Sequence, residues 1–242
     1  MEHLPESIAF ELSNRCNYSA QHPKCPTDCK ADPIFLKTSI IQDVVDYMGS
    51  LGWKGNFFLN IYNEPMIDPR FHWICEYIIN HSRACIQIFT NGWNLNDWYY
   101  KELHQLCLGR IGFTVSVYSD SEEERLRKIE GLNVQRIELD NRMDIYKYPD
   151  TARGPCKAPS VYVMINHRGE LVLCCRDYTY TQVLSDLNVT RFDYALTNSY
   201  RKAVCADLRN GIRYFNVCQR CHEVGWGVSQ TEWLGWHERN KQ

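Results

Sequence analysis

The chain's twelve cysteines in 242 residues include two groups whose spacing reads as iron-sulfur ligation. Cys16, Cys25 and Cys29 form C-x8-C-x3-C near the N-terminus, and Cys156, Cys174, Cys218 and Cys221 form C-x17-C-x43-C-x2-C near the C-terminus. Three thiolates leave one iron of a four-iron cluster without a protein ligand, open to a substrate or cofactor, whereas four close a cluster completely. One open and one closed set suit a chain that combines electron transfer with chemistry at the open iron.

Composition narrows the classes. The length allows one large domain, or one domain with an appendage. A formal charge of -2 gives no basic surface of the kind that nucleic acid or an acidic membrane requires. The start, Met-Glu-His-Leu-Pro-Glu-Ser, has no positive segment followed by an apolar run, so no signal peptide is expected. No stretch approaches the roughly 18 apolar residues of a membrane-crossing helix. The expectation is a cytoplasmic chain with reduced thiols, which favours metal over disulfide. Zinc is the rival metal: Cys218-Gln-Arg-Cys221 is a C-x2-C knuckle that Cys156 with Cys174 or Cys175 completes to a four-sulfur site, in a non-redox interaction module. Cys75, Cys85 and Cys107 sit in apolar patterns and read as small core residues, and Cys205 lies in a helical segment at no ligand-like spacing.

Strand and helix signals alternate through the first 140 or so residues. Ile8 to Leu12 predicts a first strand, followed by the cysteine loop. Ser39 is a candidate cap for a helix in which Ile40, Ile41, Val44, Val45, Met48 and Leu51 recur at helical spacing. Further strands are predicted over Asn56 to Tyr62, Cys85 to Phe89, Ile111 to Tyr118 and Val134 to Leu139. Helices are predicted between them from about Asp68 to His81, Asn96 to Leu108 and Ser119 to Ile129. Such alternation implies an α/β fold with a parallel sheet, helices outside it, and right-handed crossovers that curl it into a full or partial barrel. The texture changes after Asp140: Asn141 to Pro155 reads as an irregular linker, followed by a hairpin over Val161 to Ile165 and Leu171 to Cys175, and a helix from about Ser199 to Asn210. The division falls near residues 145 to 155, giving a sheet domain over 1–145 and a cysteine-bearing appendage over 146–242.

The open set follows the first strand in Phe10-Glu-Leu-Ser-Asn-Arg-Cys16-Asn17, the second strand ends in Tyr62-Asn63-Glu64-Pro65, and the third in Phe89-Thr90-Asn91-Gly92. That ordered series resembles the radical S-adenosylmethionine enzymes, in which the cluster loop, a G-E-P-like motif and a T-N-G-like motif follow successive strands. The C-terminal set resembles the twitch domain, a shortened SPASM domain with a β-hairpin and a helix around one auxiliary cluster. Length, motif order and closed-set spacing resemble the 2-deoxy-scyllo-inosamine dehydrogenases within that family. The usual family spacing is C-x3-C-x2-C; here Ala20 stands where the second cysteine would be and the loop is longer. Cys25-Pro26 looks like the step that often ends the usual motif, so Cys29 is expected to supply the missing ligand, with His22 as a competitor.

The resemblance implies a partial (β/α)6-type barrel, a 4Fe-4S cluster that binds S-adenosylmethionine, an auxiliary 4Fe-4S cluster, and a 5'-deoxyadenosyl radical that takes hydrogen from substrate. It implies Glu64 near the cofactor's amino group, while Asn63 stands where the family often has glycine. Thr90, Asn91, Ser116 and Ser119, at strand ends, are candidate partners for ribose or carboxylate, with ordinary capping as the alternative for each. Arg142 and Arg153 are candidates to hold an anionic substrate or the cofactor carboxylate. Cys174 is preferred to Cys175 for the closed set, because adjacent strand residues face opposite ways. A fully ligated cluster is suited to relay an electron, which favours dehydrogenation or a similar oxidation. The expected partners are a small-molecule or short peptide substrate, since no N-terminal peptide-recognition domain is seen, and a reductant such as flavodoxin or ferredoxin. No residue is assigned to the chemical step itself.

Overall fold

The structure is a computed structural model that describes residues 4–22, 25–27, 30, 32–137 and 154–221. Five strands alternate with helices in its first part: β1 (Ser7–Phe10), α1 (Thr38–Ser50), β2 (Asn56–Phe58), a 3-10 turn (Pro65–Ile67), α2 (Phe71–His81), β3 (Cys85–Thr90), α3 (Asp97–Leu106), β4 (Ile111–Val117), α4 (Asp120–Leu126) and β5 (Asn133–Arg136). The second part contains α5 (Ala158–Val161), β6 (Tyr162–Ile165), β7 (Glu170–Val172), β8 (Val183–Asp186), α6 (Phe192–Thr197), α7 (Ser199–Arg209) and α8 (Asn216–Gln219).

The local causes are plain in the pattern. β4 buries Ile111, Phe113, Val115 and Val117, while Gly112, Thr114 and Ser116 turn to the other face at half burial, as the period of a strand requires. α1 buries Ile40, Ile41, Val44, Val45 and Met48 along one stripe. The strands form one sheet in the order β5-β4-β3-β2-β1-β6-β7-β8. Strands β1 to β5 pair in parallel with their neighbours, and β6 also pairs in parallel with β1, from Ser7 opposite Tyr162 to Phe10 opposite Ile165. Strands β7 and β8 continue antiparallel. The expected α/β architecture is present as an open, partial barrel with β5 and β8 at its edges. Its sixth parallel strand comes from beyond the expected division and lies beside β1. The division itself, near 145 to 155, begins outside the described residues.

Two apolar clusters cover the two faces. Ile8, Phe10, Phe57, Ile86, Val115 and Val163 belong to the large cluster shared with helices α1 to α3, α6 and α7. Ala9, Met164, Val172 and Tyr180 form a smaller cluster on the opposite face, with Phe58, Tyr62, Tyr162 and Cys175 packed against it.

Several expected boundaries shift for identifiable reasons. α1 begins at Thr38 with Lys37 at the cap position and no side-chain cap, so Ser39 lies inside the first turn. β2 stops at Phe58 because Asn63 folds back on its own loop: its Oδ1 accepts from Ile61 N at 3.2 Å and its Nδ2 donates to Leu59 O at 3.3 Å. α2 begins at Phe71, since Asp68 Oδ1 accepts from Arg70 N at 2.8 Å in a local turn that replaces the first helical residues. The expected end of the fifth strand, Leu139, lies outside the described residues. β8 and α6 have no counterpart in the expected series. The hairpin turn forms as expected: Asn166 Oδ1 accepts from Arg168 N and Glu170 N, and Gly169 adopts a φ of 84° that favours glycine.

Candidate active site

The segments that follow β1, β2 and β3 meet in a cleft at the C-terminal edge of the parallel strands. Cys16, Cys25, Asn63, Glu64, Thr90, Asn91 and Ser116 line it, together with Tyr18, His22, Tyr62 and Tyr118. Glu64 is 2% exposed and holds the segments together. Its Oε1 accepts from Thr90 Oγ1 at 2.6 Å and from Met66 N at 3.1 Å, and its Oε2 accepts from Asn91 N at 2.8 Å. Its own N–H donates to Arg15 O at 2.9 Å, and Asn91 Nδ2 donates to Asn17 Oδ1 at 2.7 Å, so both motifs are fastened to the residues flanking Cys16. Burial pushes the Glu64 carboxyl up from its ordinary 4.5 to about 7, against the pull of the hydrogen bonds from Thr90, Asn91 and Met66.

The longer loop between Cys16 and Cys25 is anchored on the far wall. The Tyr18 hydroxyl donates to Glu122 Oε1, the Tyr18 and Tyr118 rings lie 5.1 Å apart, and His22 meets Tyr118 edge-on at 5.1 Å. Cys25 Sγ lies 3.0 Å from Thr27 Oγ1. Ser119 does not line the cleft: it caps α4, its Oγ accepting from Glu122 N at 3.4 Å and contacting Glu122 Oε2 at 3.0 Å. Cys29, Arg142 and Arg153 lie outside the described residues.

The four C-terminal cysteines also converge. Cys174 and Cys218 belong to the large apolar cluster and Cys156 packs against it, whereas Cys175 packs against the smaller cluster on the other face. Burial raises the thiols of Cys156 and Cys174, and pushes Cys218 up to about 12; Cys221 acts on all three in the same direction. Cys205, on α7, is buried and close enough to Cys156 to raise it as well. No disulfide joins two cysteines among the described residues. Among the described residues no three His, Cys, Asp or Glu side chains are gathered tightly enough for a single metal ion. Four thiols in one region are, by donor type, a set that either an iron-sulfur cluster or zinc takes.

No family model matches the sequence, and no curated protein matches it either. Solved structures do match. BtrN in complex with AdoMet and 2-DOIA is 19% identical with a TM-score of 0.74, the match covering 96% of this chain and 99% of that one. The chain has the fold of BtrN. BtrN in an open conformation gives a TM-score of 0.72 at 19% identity, over 93% of this chain and 96% of that one. The sulfatase-maturating enzyme anSMEcpe with bound AdoMet and Kp18Cys peptide is more distant, at 10% identity and a TM-score of 0.52, over 97% of this chain and 96% of that one. The fold shared with BtrN therefore runs through the cleft and the C-terminal cysteine region alike.

The sequence pattern assigns no role to several residues around the cleft. The Tyr62 hydroxyl donates to the carbonyl of Cys175, linking the cleft wall to the residue beside Cys174. Tyr62 packs against Tyr178 at 5.4 Å and Tyr180 at 5.8 Å, and burial holds its phenol neutral, well above its usual range. Glu11, buried just after β1, receives His167 Nδ1 at 2.6 Å from the hairpin turn. A charged residue directly after an apolar strand is the one sequence signal that singles Glu11 out. Among the described residues no helix is long and apolar enough to cross a membrane.

Proposed function

We propose that the chain is a radical S-adenosylmethionine enzyme that oxidises a small molecule or short peptide. The observation that carries this is Glu64, which draws the segments after β1, β2 and β3 together around Cys16 and Cys25, within a fold shared with AdoMet-bound BtrN. Cys16, Cys25 and Cys29 hold an open four-iron cluster. Bound there with S-adenosylmethionine, that cluster supplies a 5'-deoxyadenosyl radical able to take hydrogen from an unactivated carbon.

The protein's own residues bind, orient and shield. Glu64 stands buried behind the cleft and presents negative charge to the amino end of the cofactor, while Asn63, Thr90, Asn91 and Ser116 offer backbone and side-chain hydrogen bonds around it. Ser119 is left out of this set because it is engaged as the α4 cap. Tyr18, Tyr62 and Tyr118 wall the cleft with aromatic rings. Arg142 and Arg153 are assigned to the cofactor carboxylate or an anionic substrate. Cys156, Cys174, Cys218 and Cys221 hold the auxiliary four-iron cluster, with Cys174 chosen because it shares its face of the sheet with Cys218 and Cys156. A closed cluster at that place suits acceptance of the second electron of an oxidation, and a flavodoxin or ferredoxin is the assigned reductant. Cofactor binding is assigned to the part over 1–145 and electron relay to the part over 146–242.

The test is anaerobic reconstitution with ferrous iron and sulfide, followed by iron analysis of the wild type and of Cys16→Ala and Cys221→Ala proteins. Two four-iron clusters in the wild type and one in each variant support the reading. Full iron content in either variant removes that cysteine from its set.

A further inference from the structure

We propose that Arg213 and Asp177 flank the C-terminal cysteine set as opposed buried charges and fix the reduction potential of the cluster held there. The inference rests on the reading of Cys156, Cys174, Cys218 and Cys221 as its ligands.

Arg213 is only 9% exposed, unusual for a residue whose charge cannot be shed by losing a proton. Its Nε donates to Gly154 O at 2.9 Å and its Nη1 reaches Cys218 O at 3.4 Å, so the guanidinium is pinned between the segment leading into Cys156 and the helix that carries Cys218. Asp177 is fully buried on the other strand connection. Its backbone N–H donates to Cys174 O at 3.2 Å, and its carboxylate accepts from Thr181 Oγ1 at 2.9 Å and Gln182 N at 2.7 Å. One charge is thus tied to the backbone at Cys218 and the other to the backbone at Cys174.

Adding an electron makes a thiolate-bound cluster more negative. A buried cation nearby therefore favours the reduced form and a buried anion the oxidised form, and both act strongly where water is excluded. The hydrogen bonds alone would make Arg213 a mechanical clamp. The charge makes it more than that, because removing it moves the potential in one direction while removing Asp177 moves it in the other.

The experiment uses the full chain with Cys16, Cys25 and Cys29 changed to Ala, so that only the C-terminal set takes up iron. The protein is reconstituted with ferrous iron and sulfide and titrated under electron paramagnetic resonance. At a fixed solution potential, Arg213→Gln is expected to lower the ratio of reduced to oxidised cluster at least about tenfold, which is about 59 mV for a one-electron couple. Asp177→Asn is expected to raise that ratio by a similar factor, and Arg213→Lys, which keeps the charge and loses the fork, to stay near the parent. Equal potentials in parent and variants, or shifts of the same sign for Arg213→Gln and Asp177→Asn, overturn the proposal. If Arg213→Gln takes up no iron, Asp177→Asn decides alone: an unchanged or lowered ratio overturns it. A parent protein that binds no iron overturns the ligand reading instead, and the proposal with it.

Discussion

Glu64→Gln separates the cost of burying a charge from the value of the hydrogen bonds that charge receives. The Glu64 carboxyl titrates near 7 instead of 4.5 because it is buried. At roughly 1.4 kcal/mol per decade of proton affinity, keeping it ionised costs the fold about 3 kcal/mol at and above pH 8. The sign follows from proton counting: between pH 4.5 and 7 the folded state holds more protons than the unfolded state, so this residue's contribution to stability falls as pH rises, then levels off. Glutamine carries no charge, but it offers only one acceptor oxygen to the three donors on Glu64. Its amide nitrogen can donate to the Thr90 hydroxyl, which leaves Met66 N without its acceptor, a loss of about 1–3 kcal/mol. Glu64→Gln is therefore expected to destabilise the metal-free protein by about 1–3 kcal/mol at pH 5 and to be near neutral or mildly stabilising at pH 8. Urea unfolding of both proteins under reducing, anaerobic conditions at several pH values measures the difference, and the cysteine titrations common to both cancel from it. A difference that does not change with pH would falsify the claim that Glu64 is held ionised at a cost.

Ser119→Ala is expected to cost about 1 kcal/mol through loss of the α4 cap, while leaving the S-adenosylmethionine affinity of the reconstituted protein unchanged by calorimetry. Weakened affinity would return Ser119 to the cofactor site. Cys29→Ala is expected to abolish reductive cleavage of S-adenosylmethionine, and full cleavage would show that another group completes the open set. Cys221→Ala is expected to halve the iron while cleavage survives, whereas Cys205→Ala keeps both clusters despite its nearness to Cys156; iron loss in Cys205→Ala would make Cys205 a ligand. Tyr18→Phe removes the bond that anchors the cysteine loop to Glu122, and is expected to speed protease cleavage within that loop severalfold without changing global stability by more than about 1 kcal/mol.

The parts of this architecture written in local pattern were legible from sequence. β4 declares itself by strict alternation, α1 by its apolar stripe, and the hairpin turn by Asn166 and Gly169. The cleft was legible for the same reason: Cys16, Glu64, Thr90 and Asn91 lie at or shortly after the ends of strands that the pattern already marks, and parallel strands bring those ends to one edge. What escaped depends on distant pairing. Nothing local says that Tyr162 to Ile165 lies against β1, or that Val183 to Asp186, with Leu184 as its one buried residue, forms an eighth strand. Boundaries slipped where a side chain competed with the backbone, as Asn63 does after β2 and Asp68 before α2. Arg213, Asp177 and the pairing of Glu11 with His167 were not legible because a buried charge is recognised by its partner, and His167 stands on a turn far along the chain from Glu11.

The most direct test of the account is the yield of 5'-deoxyadenosine when the anaerobically reconstituted protein is mixed with S-adenosylmethionine and dithionite. A brown protein with iron for two four-iron clusters that forms 5'-deoxyadenosine, and loses that ability in Cys16→Ala, is the expected result. A colourless protein that binds zinc at the C-terminal cysteines and leaves S-adenosylmethionine intact would contradict it.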